Sequence, residues 1–89
     1  MRINKNYILR QLGDNTYVIE TAVKDINYNK IVTFNHTAAF LWNEFNDKEF
    51  TLEEIVNCII RKYNISQEKA LLDASVLIEK WKDAGLIIQ

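Results

Sequence analysis

The sequence predicts an α+β, winged-helix-like domain: a three-stranded antiparallel sheet followed by three α-helices. Three observations carry this. The first third is rich in strand formers and is broken by the turn signal Gly13-Asp14-Asn15. From His36 onward, apolar residues recur at helical spacing in three separate stretches. The 89 residues hold two glycines and no proline, so the elements follow one another without a linker. The order β-β-β-α-α-α in so short a chain argues for one domain over residues 1–89, with the helices packed on the sheet.

The strands come first. Tyr7 to Leu12 and Tyr17 to Ala22 are alternating, β-prone runs close enough to form a hairpin. A polar stretch from Lys24 to Lys30 follows. Ile31-Val32-Thr33-Phe34 is the third strand; Ile31 and Thr33 point to one face, Val32 and Phe34 to the other. Of these, Phe34 is assigned to the core.

The first helix covers His36 to Phe45. Ala38, Leu41, Trp42 and Phe45 share one face, and Asn35 is a good N-cap. The second, Leu52 to Tyr63, carries the apolar stripe Leu52, Ile55, Val56, Ile59, Ile60 and Tyr63. Thr51 and Glu54 have capping-box spacing, and Asn64 suits a left-handed stop. The third runs from Gln67 to Ala84 behind the cap Ser66. Its core stripe is Ala70, Leu71, Ala74, Leu77, Ile78 and Trp81, and Gly85 ends it. Leu86-Ile87-Ile88 is an apolar tail available either to add a strand or to cover the core.

Composition narrows the function classes. Hydrophobic residues make up 48% and charged residues 26%, which fits one compact core. The formal net charge is −1, from eleven basic and twelve acidic residues, so no general field draws in nucleic acid. No apolar run nears the roughly eighteen residues of a membrane span. Met1 to Asn6 lacks a signal-peptide stretch, and the lone Cys58 fits a reducing compartment; both predict a cytoplasmic protein.

Catalytic chemistry is poorly supplied. His36 is the single histidine and sits in a helix first turn. It cannot complete a zinc site with one distant cysteine. Cys58 lies beside the stripe of the second helix and reads as a small hydrophobe. Glu53 and Glu54 suit the positive end of a helix dipole better than acid–base work. With only Gly13 and Gly85, there is no phosphate-cradling loop. The chain is expected to be neither an enzyme nor a metal carrier.

The third helix has a second apolar strip. Leu72 and Val76 lie roughly opposite its core stripe, with Lys69, Asp73 and Lys80 beside them. A helix with one buried face has no need of these two; they read as scattered surface apolars, as the second face of a helix sandwiched between sheet and helices, or as a contact for an apolar peptide segment or a second copy of the chain.

An ordered set of motifs spans the chain from about Tyr7 to Ile87. Phe34-Asn35-His36-Thr37-Ala38-Ala39-Phe40-Leu41-Trp42 fills a pattern of strand, Leu-Asn-x-x-Ala and Trp-bearing helix, with Phe for Leu. Thr51-Leu52-Glu53-Glu54-Ile55 matches a Thr-x-x-Glu-Ile helix start, and Tyr63-Asn64-Ile65 a Tyr-x-Val end. Asp73 matches the Asp of an Asp-Val step in which Ala74 replaces Val. Trp81-Lys82-Asp83-Ala84-Gly85-Leu86-Ile87 matches a Leu-x-x-x-Gly-Leu-Ile ending, with Trp for Leu. This set resembles the PqqD family of small peptide-binding domains, also called RiPP recognition elements. One departure is the connection Asn46 to Glu49, longer than usual and without glycine.

The resemblance implies that the leader part of a precursor peptide adds as a strand to the free edge of the third strand, beside the last helix. It further implies presentation to a modifying enzyme, commonly a radical S-adenosylmethionine protein, with no cofactor on the domain itself. Mapped onto this chain, the expected peptide-binding residues are Lys30, Ile31, Val32 and Thr33 on the strand and Lys69, Leu72, Asp73, Val76 and Lys80 on the helix. The rival readings are a winged-helix DNA-binding domain and a non-catalytic assembly module, monomeric or homodimeric. The first is weakened by Asp73, Glu79 and Asp83, which interrupt the lysines of the third helix, and by the absence of arginine there.

Overall fold

The structure, a computed structural model, describes residues 1–21 and 31–88. Its elements are β1 (Arg2–Ile3), β2 (Tyr7–Leu12), β3 (Asn15–Glu20), β4 (Val32–Phe34), α1 (His36–Phe45), α2 (Leu52–Tyr63), α3 (Gln67–Asp83) and β5 (Ile87–Ile88). Strands β2, β3 and β4 form the antiparallel sheet in that order, and the three helices follow it, as the sequence predicts.

The β2–β3 hairpin closes more tightly than expected. Leu12 pairs with Asn15, leaving only Gly13 and Asp14 in the turn. Gly13 adopts φ +61 at the first turn position, which a type II′ turn demands and which matches the twist of the strands. The tight closure starts β3 at Asn15 rather than Tyr17; Ala22 and the stretch Lys24 to Lys30 lie outside the described residues. Leu9, Val18 and Val32 form a cross-strand row, with Val18 fully buried at its centre. Phe34 lies two residues along on the same inward face, buried as expected, whereas Thr33 is exposed.

Each helix begins at a side-chain cap, and α2 and α3 end at recognisable stops. The Asn35 side chain accepts from the Ala38 N–H at 2.8 Å. Thr51 and Glu54 form the reciprocal capping box, and Ser66 accepts from the Lys69 N–H at 3.2 Å. Asn64 ends α2 at φ 53, a left-handed conformation that asparagine tolerates. At the end of α3 the Leu86 N–H donates to the Trp81 carbonyl at 2.9 Å and the Gly85 N–H to Lys82 at 3.1 Å. That pair of bonds is a Schellman motif, with Gly85 left-handed at φ +77.

Two core expectations on the helices fail. Leu71 is 48% exposed, because it sits about 100° around from Ala70 and past the contact with α2. Tyr63 also stays partly exposed at the end of α2. The buried line of α3 is Ala70, Ala74, Ile78 and Trp81, and its two alanines let the helix lie close against α2.

The apolar tail does add a strand, though not to the main sheet. Ile87 pairs with Ile3 and Ile88 with Arg2 in a separate two-stranded sheet. Around it the Asn4 N–H donates to Leu86 and the Phe50 N–H to Met1, both at 2.8 Å. Arg2 meets Glu49 at 2.8 Å, and this contact holds the Glu49 carboxyl below the usual carboxylate range. The outer edge of β4 therefore has no strand partner among the described residues. No helix among them is long and apolar enough to cross a membrane.

Gly85→Ala tests the helix stop. An added Cβ meets only the Tyr7 hydroxyl at 3.7 Å, an ordinary contact, so the cost comes from the backbone. We expect a loss of about 1–2 kcal/mol and a melting temperature lower by roughly 4–8 °C per kcal/mol. An unchanged melt by circular dichroism contradicts the assigned stop.

Candidate functional site

The site follows from how β4 runs into α1. Phe34 ends the strand, Asn35 stays extended at φ −83 and ψ 179, and α1 starts at the next residue. The turn needs no extra chain, so Trp42, two turns into the helix, comes back over Phe34. Their rings meet edge to face, with centroids 5.5 Å apart. Trp81 of α3 completes a triangle. It stacks on Phe34 at 5.6 Å and 14° and meets Trp42 edge to face at 5.5 Å. Such pairs add about 0.5–1.5 kcal/mol each beyond area burial. The triangle fastens α3 beside β4 without pairing to the strand's outer edge.

Between strand and helix lies a groove of about 520 Å³. Val32, Thr33 and Phe34 form the strand wall, and Asn35, Thr37 and Ala38 close one side at the start of α1. The helix wall is Leu72, Asp73, Val76, Leu77, Lys80 and Trp81. Leu72 and Val76 stand on the rim, 63% and 47% exposed. The Thr37 hydroxyl donates to the Tyr63 hydroxyl at 3.2 Å and ties the α1 side of the groove to α2.

Six of the nine residues expected at the site line this groove: Val32, Thr33, Leu72, Asp73, Val76 and Lys80. Lys30 lies outside the described residues. Ile31 precedes β4 instead of belonging to it, and it is exposed and away from the groove wall. Lys69 is also off the wall; one turn before Asp73, it reaches that carboxylate at 3.4 Å. Leu77 and Trp81 were assigned to the core alone. Both also line the groove: Leu77 lies between the buried line and the outer strip, and Trp81, at the end of the buried line, forms part of the groove where it stacks on Phe34. Thr37 and Ala38 were missed as wall residues, although the direct strand-to-helix handover places the first turn of α1 there.

The charges are uneven. The Lys69–Asp73 pair is exposed and contributes at most a few tenths of a kcal/mol by the usual measure of helical pairs. It does offset Asp73 locally. Lys80 has no ion pair among the described residues. No group of three or more His, Cys, Asp or Glu residues positioned to hold a metal ion occurs among them.

Cys58 stands elsewhere, on the wall of a second cleft between α1 and α2. Burial pushes its thiol up from the ordinary value of 9.0, and Glu44 adds to the rise, while Arg61 and Lys48 oppose it. The folded state therefore keeps the neutral thiol. This contribution to stability is complete below the unfolded thiol's pKa and is lost as pH rises through the folded one.

The fold and the groove define a class: a small α+β domain with a sheet edge that no described strand pairs, set against an amphipathic helix. The family model described as Coenzyme PQQ synthesis protein D (PqqD) matches residues 8–87, and the chain belongs to that family. Among solved structures it is similar to TbiB1, determined in complex with the TbiA(beta) leader peptide. The TM-score is 0.72 at 14% identity, over 97% of this chain and 93% of that one, so the two share a fold. No curated protein matches the sequence.

Ellman's reagent checks the Cys58 environment. At pH 8 the native protein should react slowly, and the guanidinium-unfolded protein quickly. Equal rates contradict the buried neutral thiol.

Proposed function

We propose that this domain, residues 1–89, binds the leader segment of a ribosomally made precursor peptide by strand addition along β4 and presents it to a modifying enzyme. The observation that carries this reading is the β4 edge, unpaired among the described residues, beside a groove whose far wall carries the exposed Leu72–Val76 strip. An edge strand offers N–H and C=O groups that an extended peptide satisfies, and a neighbouring groove takes its alternate side chains.

The dimensions agree. Leu72, Val76 and Lys80 are four residues apart on α3, so they step along the groove by about 6 Å. Same-face side chains of an extended peptide step by roughly 6.6 Å. Successive side chains of a docked strand therefore fall into successive gaps of the helix row. Membership of the PqqD family and the shared fold with a leader-bound protein both favour this occupant. DNA suits the groove less well, because Lys80 is the one cation on a wall that also carries Asp73, and α3 has no arginine to read base edges.

In this reading the domain is a binding module in the cytoplasm, where Cys58 stays reduced. Chemistry belongs to the partner, which in this family is commonly a radical S-adenosylmethionine enzyme, and the domain needs no cofactor of its own. Binding occurs as a monomer or as a homodimer that leaves β4 open.

Leu72→Asp tests the groove. The probe is a labelled twelve-residue peptide selected by mRNA display on the wild-type chain. We expect affinity to fall by about tenfold or more, since a buried interface anchor typically contributes at least about 1–2 kcal/mol, with an unchanged circular dichroism spectrum. Unaltered affinity rules out this groove as the docking site.

A further inference from the structure

The groove carries a charge bias that specifies its ligand beyond leader peptides in general. We propose that it selects an extended segment with an apolar side chain and a carboxylate two residues apart, the carboxylate meeting Lys80. This rests on the peptide-binding reading above and deepens it.

Three observations converge. First, of the two charged residues on the helix wall, Asp73 is already offset by Lys69 at 3.4 Å, which leaves Lys80 as the wall charge without a partner among the described residues. Second, the first turn of α1, which closes one side of the same groove, has no acidic side chain. The positive end of its dipole therefore adds to the potential of Lys80 rather than cancelling it. Third, Lys80 continues the row of Leu72 and Val76 at the same four-residue step. A side chain docked between Leu72 and Val76 has apolar neighbours on both sides. The next side chain on that face, two residues along an extended strand, lies between Val76 and the ammonium of Lys80. A carboxylate there makes a charge-assisted contact at the groove margin, where long lysine stems keep their heads in water.

The reverse preference is disfavoured. A basic side chain at that position faces Lys80 and the dipole end together, and the offset Asp73 lies about 10 Å further along the helix axis. The charge thus fixes which way the apolar–x–acidic pair lies along β4, a choice that main-chain pairing alone leaves open.

The test uses the full chain and an mRNA-displayed library of random twelve-residue peptides. Wild-type protein should enrich Asp or Glu two positions from a large apolar residue. Selection with Lys80→Glu should replace that acid by Lys or Arg at the same spacing. For one wild-type winner, Lys80→Gln should weaken binding by about threefold to fivefold, as a partly exposed ion pair does. Changing the peptide acid to its amide should cause a similar loss, and the two changes together should cost little more than either. Apolar enrichment without a charge preference, or one unmoved by Lys80→Glu, overturns the acidic anchor while leaving the groove assigned. Failure to enrich any peptide that Leu72→Asp then releases overturns peptide binding in this groove, and the anchor with it.

Discussion

The packing of Phe34, Trp42 and Trp81 is the constraint on which the rest depends. Each ring comes from a different element, and each touches the other two at about 5.5 Å. The inner face of β4 is thereby sealed against α1 and α3, while the hydrogen-bonding edge of the strand stays outside. A groove results because the contact is made by side chains at the floor. The backbones of β4 and α3 are held side by side with room between them. Truncating a buried Trp or Phe typically costs about 3–5 kcal/mol, a large share of the roughly 5–15 kcal/mol that holds a small domain folded. The same rings that set the groove's width therefore also keep the chain folded.

An open strand edge is a hazard that proteins usually cover. The chain has an apolar tail of its own, and the Schellman stop at Gly85 decides where it goes. The reversal aims Leu86 into the core and sends Ile87 and Ile88 to pair with β1. The N-terminal strand is bound in turn by Met1 to Phe50 and Arg2 to Glu49. The tail is thus committed at a distance from β4. The exposed edge is kept short, at three residues, and lies under a helix rim that mixes apolar and charged side chains. That combination leaves room for an extended guest while offering little to a second sheet.

Much of this was legible in the sequence. Caps at Asn35, Thr51 and Ser66 and stops at Asn64 and Gly85 act through neighbours in the chain, so spacing alone finds them. Alternation placed Val32 and Phe34 on the inner face for the same reason. The outer strip Leu72–Val76 was visible as an apolar surplus on a helix that already had a core line. The misses all depend on partners distant in sequence. Leu71 looked like a core residue, and only the position of α2 leaves it outside. Trp81 looked like core alone, and only the placement of α3 beside β4 gives it a second face. The pairing of Arg2–Ile3 with the tail had no local signal, because a two-residue strand has no periodicity.

Strand addition requires that the edge of β4 take up a guest backbone. Amide hydrogen exchange read residue by residue, with and without the cognate leader peptide, measures this directly. Strand addition predicts that the outward-pointing amides among Val32, Thr33 and Phe34 exchange freely in the free protein and become protected in the complex. The amides that already face β3 should change little. A peptide that binds tightly while every amide of β4 exchanges as before contradicts strand addition.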